Sequence, residues 1–174
     1  MLKDEELFRI FNEWISESSE EVLIDVADYK HLNHGPTTIL IGHEANYFLE
    51  SKDQSKGLVY ARKQPQEGDL STRLTLTLLA SLRGCMKLES HPELQGRLKF
   101  NGNEVRFIAN DRLQALNTED NIQLFKQHLS PVLDTLFSPN NYTFENEKQP
   151  NERLGVIART TESTDLSDLF KKLA

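Results

Sequence analysis

The chain has 174 residues, a formal net charge of −7 and a single cysteine. That length suits one compact domain, large enough to hold a core without a disulfide or a metal. Acidity with no Lys/Arg stripe excludes the footprint of a nucleic-acid or anionic-membrane binder, and no apolar run approaches the roughly 18–20 residues that span a bilayer.

Asp4 to Ser16 reads as a helix, with Leu7, Phe8, Ile10, Phe11, Trp14 and Ile15 at three- and four-residue spacing and acids in its first turn. Residues 1–30 hold nine carboxylates (Asp4, Glu5, Glu6, Glu13, Glu17, Glu20, Glu21, Asp25, Asp28) against Lys3, Arg9 and Lys30, which accounts for most of the net charge. A signal peptide opens basic and then turns apolar, whereas this N-terminus is acidic and amphipathic. With Cys85 unable to bridge within the chain, a reducing cytoplasmic location is expected.

Glu20 to Asp28 alternates as a strand, with Val22, Ile24 and Val26 on one face. A loop to Gly35-Pro36 follows, then a long strand from Thr37 to Glu50. Simple pleating puts Ile39, Ile41, His43, Ala45, Tyr47 and Leu49 on one face of it, and Leu40, Glu44, Asn46 and Phe48 on the other. Gly57 to Lys63 reads as an antiparallel return strand that brings Tyr60 and Arg62 near Ala45 to Tyr47.

Leu70 to Glu89 is a second helix, with a stripe of Leu74, Leu78, Leu82, Cys85 and Met86 widened by Leu76 and Leu79. Cys85 falls on that stripe and reads as a core thiol. Gly96 to Asn110 reads as a hairpin turning at Asn101-Gly102, with Leu98 and Phe100 before the turn and Val105, Phe107 and Ala109 after it. Thr118 to Phe137 is a third helix whose stripe runs on through Pro131, kinked there unless Ser130-Pro131 caps a new one. Tyr142–Glu145 and Arg153–Arg159 form a strand pair around a loop with Pro150, and Thr164–Leu173 is a terminal helix.

The expected order is α-βββ-α-ββ-α-ββ-α: an α+β fold with an antiparallel sheet covered by helices on one face. Residues 1–174 read as one domain, with 139–174 a ββα unit added at its C-terminus.

Chemistry concentrates between Asp28 and Lys63. Asp28, His31, His34, His43 and Glu44 are metal-ligand types, but their spacing matches no metal motif, and pleating sends His43 and Glu44 to opposite faces. No metal or cofactor is therefore assigned. The candidate ligand-binding residues are His34, His43, Glu44, Asn46, Tyr47, Tyr60 and Arg62, with Asp25 and Tyr29 nearby: carboxylate, amide, phenol and guanidinium groups able to orient a small ligand. The competing reading is a solvated sheet face with cross-strand pairs such as Glu44 with Arg62 or Lys63. Glycine-rich phosphate loops, Gly-x-Ser-x-Gly and EF-hand patterns are absent from the sequence.

Through Asp28-Tyr29-Lys30-His31, Gly35-Pro36, Leu40-Ile41-Gly42-His43-Glu44-Ala45-Asn46-Tyr47 and Gly57-Leu58-Val59-Tyr60-Ala61-Arg62-Lys63, the chain resembles a group of small bacterial proteins of no assigned activity. That resemblance implies a bacterial origin and no site residue. The order of elements from residue 4 to 138 is similar to that of type III secretion chaperones, small acidic dimeric α+β proteins; the C-terminal ββα unit departs from their pattern. Fold does not fix function. The functional expectation is a non-enzymatic cytoplasmic module that binds a protein partner or itself as a homodimer. The alternative is a small-molecule binder or metal-assisted enzyme using the Tyr29–Arg62 region.

Overall fold

The computed structural model describes residues 2–29, 31, 36–52, 55–146 and 153–174. The elements run α1 (Asp4–Glu17), β1 (Leu23–Asp28), β2 (Thr38–Gly42), β3 (Ala45–Lys52), β4 (Ser55–Arg62), α2 (Leu70–Glu89), a 3-10 turn (Pro92–Leu94), β5 (Glu104–Ile108), α3 (Glu119–Phe137), β6 (Thr143–Asn146), β7 (Gly155–Arg159) and α4 (Leu166–Leu173). The fold is α+β with antiparallel strands, as expected, but the strands form two sheets. Their orders are β1-β2-β3-β4 and β5-β7-β6. The expected α-βββ-α-ββ-α-ββ-α is thus corrected to α-ββββ-α-β-α-ββ-α. Among the described residues no helix is long and apolar enough to cross a membrane.

The chain divides into two compact units: Met1–Gln66 with Ala80–Phe100, and Glu67–Leu79 with Asn101–Ala174. Helix α2 gives its N-terminal half to the second and its C-terminal half to the first. In the first unit, α1 buries Leu7, Ile10, Phe11 and Trp14, its 3.6-residue stripe. Fully burying each such side chain contributes roughly 1.5–3 kcal/mol. The stripe packs on a cross-strand row, Val26, Leu40, Tyr47 and Tyr60, set by the pairs Val26↔Leu40, Leu40↔Tyr47 and Tyr47↔Tyr60. Trp14 meets the Tyr47 ring edge-on at 5.9 Å. Gly84 of α2 lies on the same face, where an added Cβ would come within 2.8 Å of Leu58 and 3.2 Å of Tyr47. The missing side chain lets the helix approach the sheet closely.

Two strand readings are corrected here. The stretch from Thr37 to Glu50 is a hairpin: β2 and β3 pair as Ile39↔Phe48, Leu40↔Tyr47 and Ile41↔Asn46, so His43 and Glu44 form its two-residue tip. Both are exposed there and do not sit on opposite faces of one strand. Gly42 makes the tight reversal feasible, since a Cβ there would lie 2.6 Å from the Ala45 carbonyl oxygen. Secondly, Gly96–Asn110 is no hairpin. Only Glu104–Ile108 is a strand, and it pairs with β7. Gly102 has no left-handed φ; its bare Cα lies against the Thr164 carbonyl, a close approach that any side chain would obstruct.

Along β1 the expected alternation breaks at a bulge between Leu23 and Asp25, and Ile24 is 57% exposed where Val26 is buried. In the second unit, β7 is the central strand, with Val156 and Ala158 fully buried. Helix α3 is capped by Thr118, whose hydroxyl accepts from the Asn121 N–H, and it continues through Pro131 with its whole stripe buried. Leu76, expected to widen the α2 stripe, is 43% exposed.

Candidate functional site

Four of the sequence-predicted residues meet in one chain of contacts on the helix-covered face of the first sheet. The register puts Tyr47 opposite Tyr60 and Ala45 opposite Arg62. The two phenol rings stand edge to face at 5.0 Å. Arg62 Nη1 donates to the Tyr60 hydroxyl at 3.3 Å and Nη2 to Glu44 Oε2 at 2.7 Å. The Tyr47 hydroxyl donates to Glu21 Oε2 at 2.8 Å. Burial first, then the Glu21 carboxylate, holds Tyr47 far above the ordinary phenol range. Burial raises Tyr60 too, with Glu21 adding to it and Arg62 pulling the other way. Arg62 is itself partly desolvated, which works against its charge, but its bonds to Glu44 and Tyr60 outweigh this and raise its pKa.

Glu21 and Trp14 were not among the predicted site residues. Nothing in the sequence joins Glu21 to Tyr47, which follows it only after a full strand and loop; the sheet brings them together. Lys87 Nζ lies 4.9 Å above the Trp14 ring. Trp14 Nε1 and Glu21 Oε1 are buried atoms with no hydrogen-bond partner among the described residues.

The remaining predicted residues lie elsewhere. His43, at the hairpin tip, is fixed through its backbone N–H, which donates to the Val22 carbonyl at 2.7 Å. Asn46 pairs with Ile41 and Ala61 on the opposite face of the sheet. His34 lies outside the described residues. Asp25 is engaged locally, accepting from the Val26 N–H at 2.8 Å, and Tyr29 packs near the His31 ring. No group of three His, Cys, Asp or Glu side chains among the described residues could hold a metal ion. Cys85 is buried, and that burial pushes its thiol up to about 12.

Of the nine carboxylates in residues 1–30, Glu6, Glu13, Glu17 and Glu20 each meet a basic side chain of their own unit. Glu6 pairs with Arg97 at 2.6 Å, Glu13 with His91 at 3.1 Å, Glu17 with Lys87 at 3.2 Å and Glu20 with Arg83 at 2.9 Å. Arg9 bonds Glu93 in the reverse sense. The pairs of Glu6, Arg9, Glu13 and Glu17 fasten α1 to the segment from 87 to 97.

The face of the same sheet turned away from Tyr47 carries an apolar row beside the polar residues Asp25, Asn46 and Glu50. The pairs Ala27↔Ile39, Ile39↔Phe48 and Phe48↔Val59 make one row across all four strands. The row beside it, Asp25, Ile41, Asn46 and Ala61, is half polar, and Ile39, Phe48 and Val59 are the large apolar side chains of the face's apolar row. These three are only half-buried. Trp14 and Gly84 place both helices of this unit on the other side, and an antiparallel sheet with one free face ordinarily makes that face polar. Comparison with family models, with curated proteins and with solved structures finds no match to this chain in any of the three.

Proposed function

We propose that this protein is a non-enzymatic interaction module of the cytoplasm, docking a protein partner or a second copy on the apolar face of its four-stranded sheet. The observation that carries the proposal is the row Ala27–Ile39–Phe48–Val59, an unbroken apolar stripe on a face that no helix of its own unit covers. Contiguous, partly exposed apolar surface of this kind marks association sites more often than scattered exposed residues do. The Tyr47–Tyr60–Arg62–Glu44 chain supports the same reading, because its charged groups are spent on one another, as in a network that holds strand register.

The test is Phe48→Glu, with light scattering and binding of an apolar fluorescent dye as readouts and far-UV circular dichroism as the fold control. The wild-type chain should associate with rising concentration or light the dye, and the variant should do neither while keeping its fold. A wild-type chain that stays monomeric and leaves the dye dark overturns the proposal.

A further inference from the structure

We infer that the outer edge of β4 accepts an extended segment of a partner protein, one that carries acidic residues at both ends of an alternating apolar stretch and adds antiparallel as a fifth strand. The inference rests on the interaction-module reading and names the partner's chemistry. Strand β4 is an edge of its sheet, eight residues long and without proline. The Lys63 N–H donates to the Glu44 carbonyl at 2.7 Å, which fixes the odd-numbered residues of β4 as those bonded to β3. Lys56, Leu58 and Tyr60 therefore turn their N–H and C=O groups outward, where no backbone group of another described residue meets them. Such a row is a template for strand addition.

The opposite edge is blunted. In β1 the ladder is broken by the bulge between Leu23 and Asp25, and the outward N–H of Val26 is taken by the Asp25 carboxylate. Charge then selects the occupant. Residues 55–66 carry Lys56, Arg62 and Lys63 and no acid, in a chain of net charge −7. Lys56 and Lys63 are exposed, although the Lys63 ammonium also donates to the Gly42 carbonyl, whereas Arg62 is paired with Glu44. A second copy offering its own β4 would bring basic residues against basic residues, a pairing that is disfavoured across strands. An acidic strand has the complementary sign. Its residues opposite Val59 and Ala61 fall on the apolar face, so small apolar side chains there would extend the Ala27–Val59 row by one strand.

The probe is a labelled peptide of sequence Glu-Thr-Val-Thr-Val-Thr-Thr-Glu, which runs from opposite Lys63 to opposite Lys56, titrated into the full chain by fluorescence anisotropy. Amide exchange at Leu58 and Tyr60 is followed in parallel. The peptide should bind and slow both amides by at least about tenfold. Lys56→Glu should weaken binding by roughly threefold to fivefold, and a peptide with lysine in place of its last residue, opposite position 56, should recover it. No binding up to about 1 mM, or binding with unchanged exchange at Leu58 and Tyr60, overturns the inference. So does the same slowing appearing without peptide as the protein is concentrated, because the occupant is then a second copy. If the peptide fails while Phe48→Glu still abolishes association, the edge is wrong and the module reading stands; if both fail, the module reading falls with it.

Discussion

Replacing Gly42 by alanine separates the hairpin from a continuous strand by the sign of one number. In the interior of a strand, glycine is unfavourable, and Gly→Ala gains about 0.5–1 kcal/mol. Here the added Cβ would lie 2.6 Å from the Ala45 carbonyl oxygen, and also 3.3 Å from Leu23 and 3.4 Å from the Val22 carbonyl. The first obstacle is backbone, which cannot rotate aside, and the second side of the hairpin is held by the Lys63 and Gln64 N–H groups on the Glu44 carbonyl. Relief therefore means opening the turn, an overpacking cost of about 1–3 kcal/mol. At roughly 2–4 °C per kcal/mol for a chain of this size, Tm should fall by about 2–12 °C. Trp14, the only tryptophan, sits over Tyr47 in the same unit, so urea unfolding followed by its fluorescence reports on this sheet. A Gly42→Ala variant as stable as wild type, or more so, would refute the reversal at His43-Glu44.

Other outcomes follow from the same contacts. Cys85, with its thiol pushed up to about 12 by burial, should be silent to a thiol reagent at pH 8 and react at the rate of unfolding once urea is added. Glu6 is held at about 2 by its bond to the Arg97 guanidinium and then by the Lys3 N–H, against an ordinary 4.5. Its folded pKa is depressed, so its stabilising effect is complete above pH 4.5 and disappears as pH falls through 2; the stability gap between wild type and Glu6→Gln should close over that window. In Arg97→Ala, an NMR titration should find Glu6 back near the ordinary carboxylate range. Tyr47→Phe removes the donor to Glu21 and should cost about 1 kcal/mol in urea unfolding, while spectrophotometric titration should show one fewer tyrosine that resists ionisation at high pH.

The helices were legible because their signals are long and redundant. Asp4–Ser16, Leu70–Glu89 and Thr118–Phe137 repeat an apolar stripe over several turns; the second matches its helix at both ends, and the first and third differ from theirs by one residue at one end. The reversal at His43-Glu44 was not legible, for a specific reason. A two-residue turn shifts the alternation by one, so that Leu40 shares a face with Tyr47 and Ile39 with Phe48. In a sheet with one wet face this slip would show as a jump in polarity. Here large apolar side chains of β2 and β3 fall on both faces, Leu40 and Tyr47 on one and Ile39 and Phe48 on the other, neither turn residue is Gly, Asn or Pro, and the slip leaves no trace. Asn101-Gly102 misled in the opposite direction: the glycine serves a close approach to Thr164, not a positive φ. For the site, cross-strand neighbours such as Tyr60 and Arg62 could be read from the strand pattern. Glu21, and the bases at 83–97 that take up the N-terminal acids, are joined to their partners only through the tertiary fold.

Whether the sheet's apolar side stands open is tested most directly by radical footprinting of the purified chain, read at Ile39, Phe48 and Val59. The account predicts that all three are labelled in dilute solution and become protected as the chain associates or as a docking partner is added. Absence of labelling at every concentration would mean that this side is already covered within the isolated chain, and would contradict its role as a docking surface.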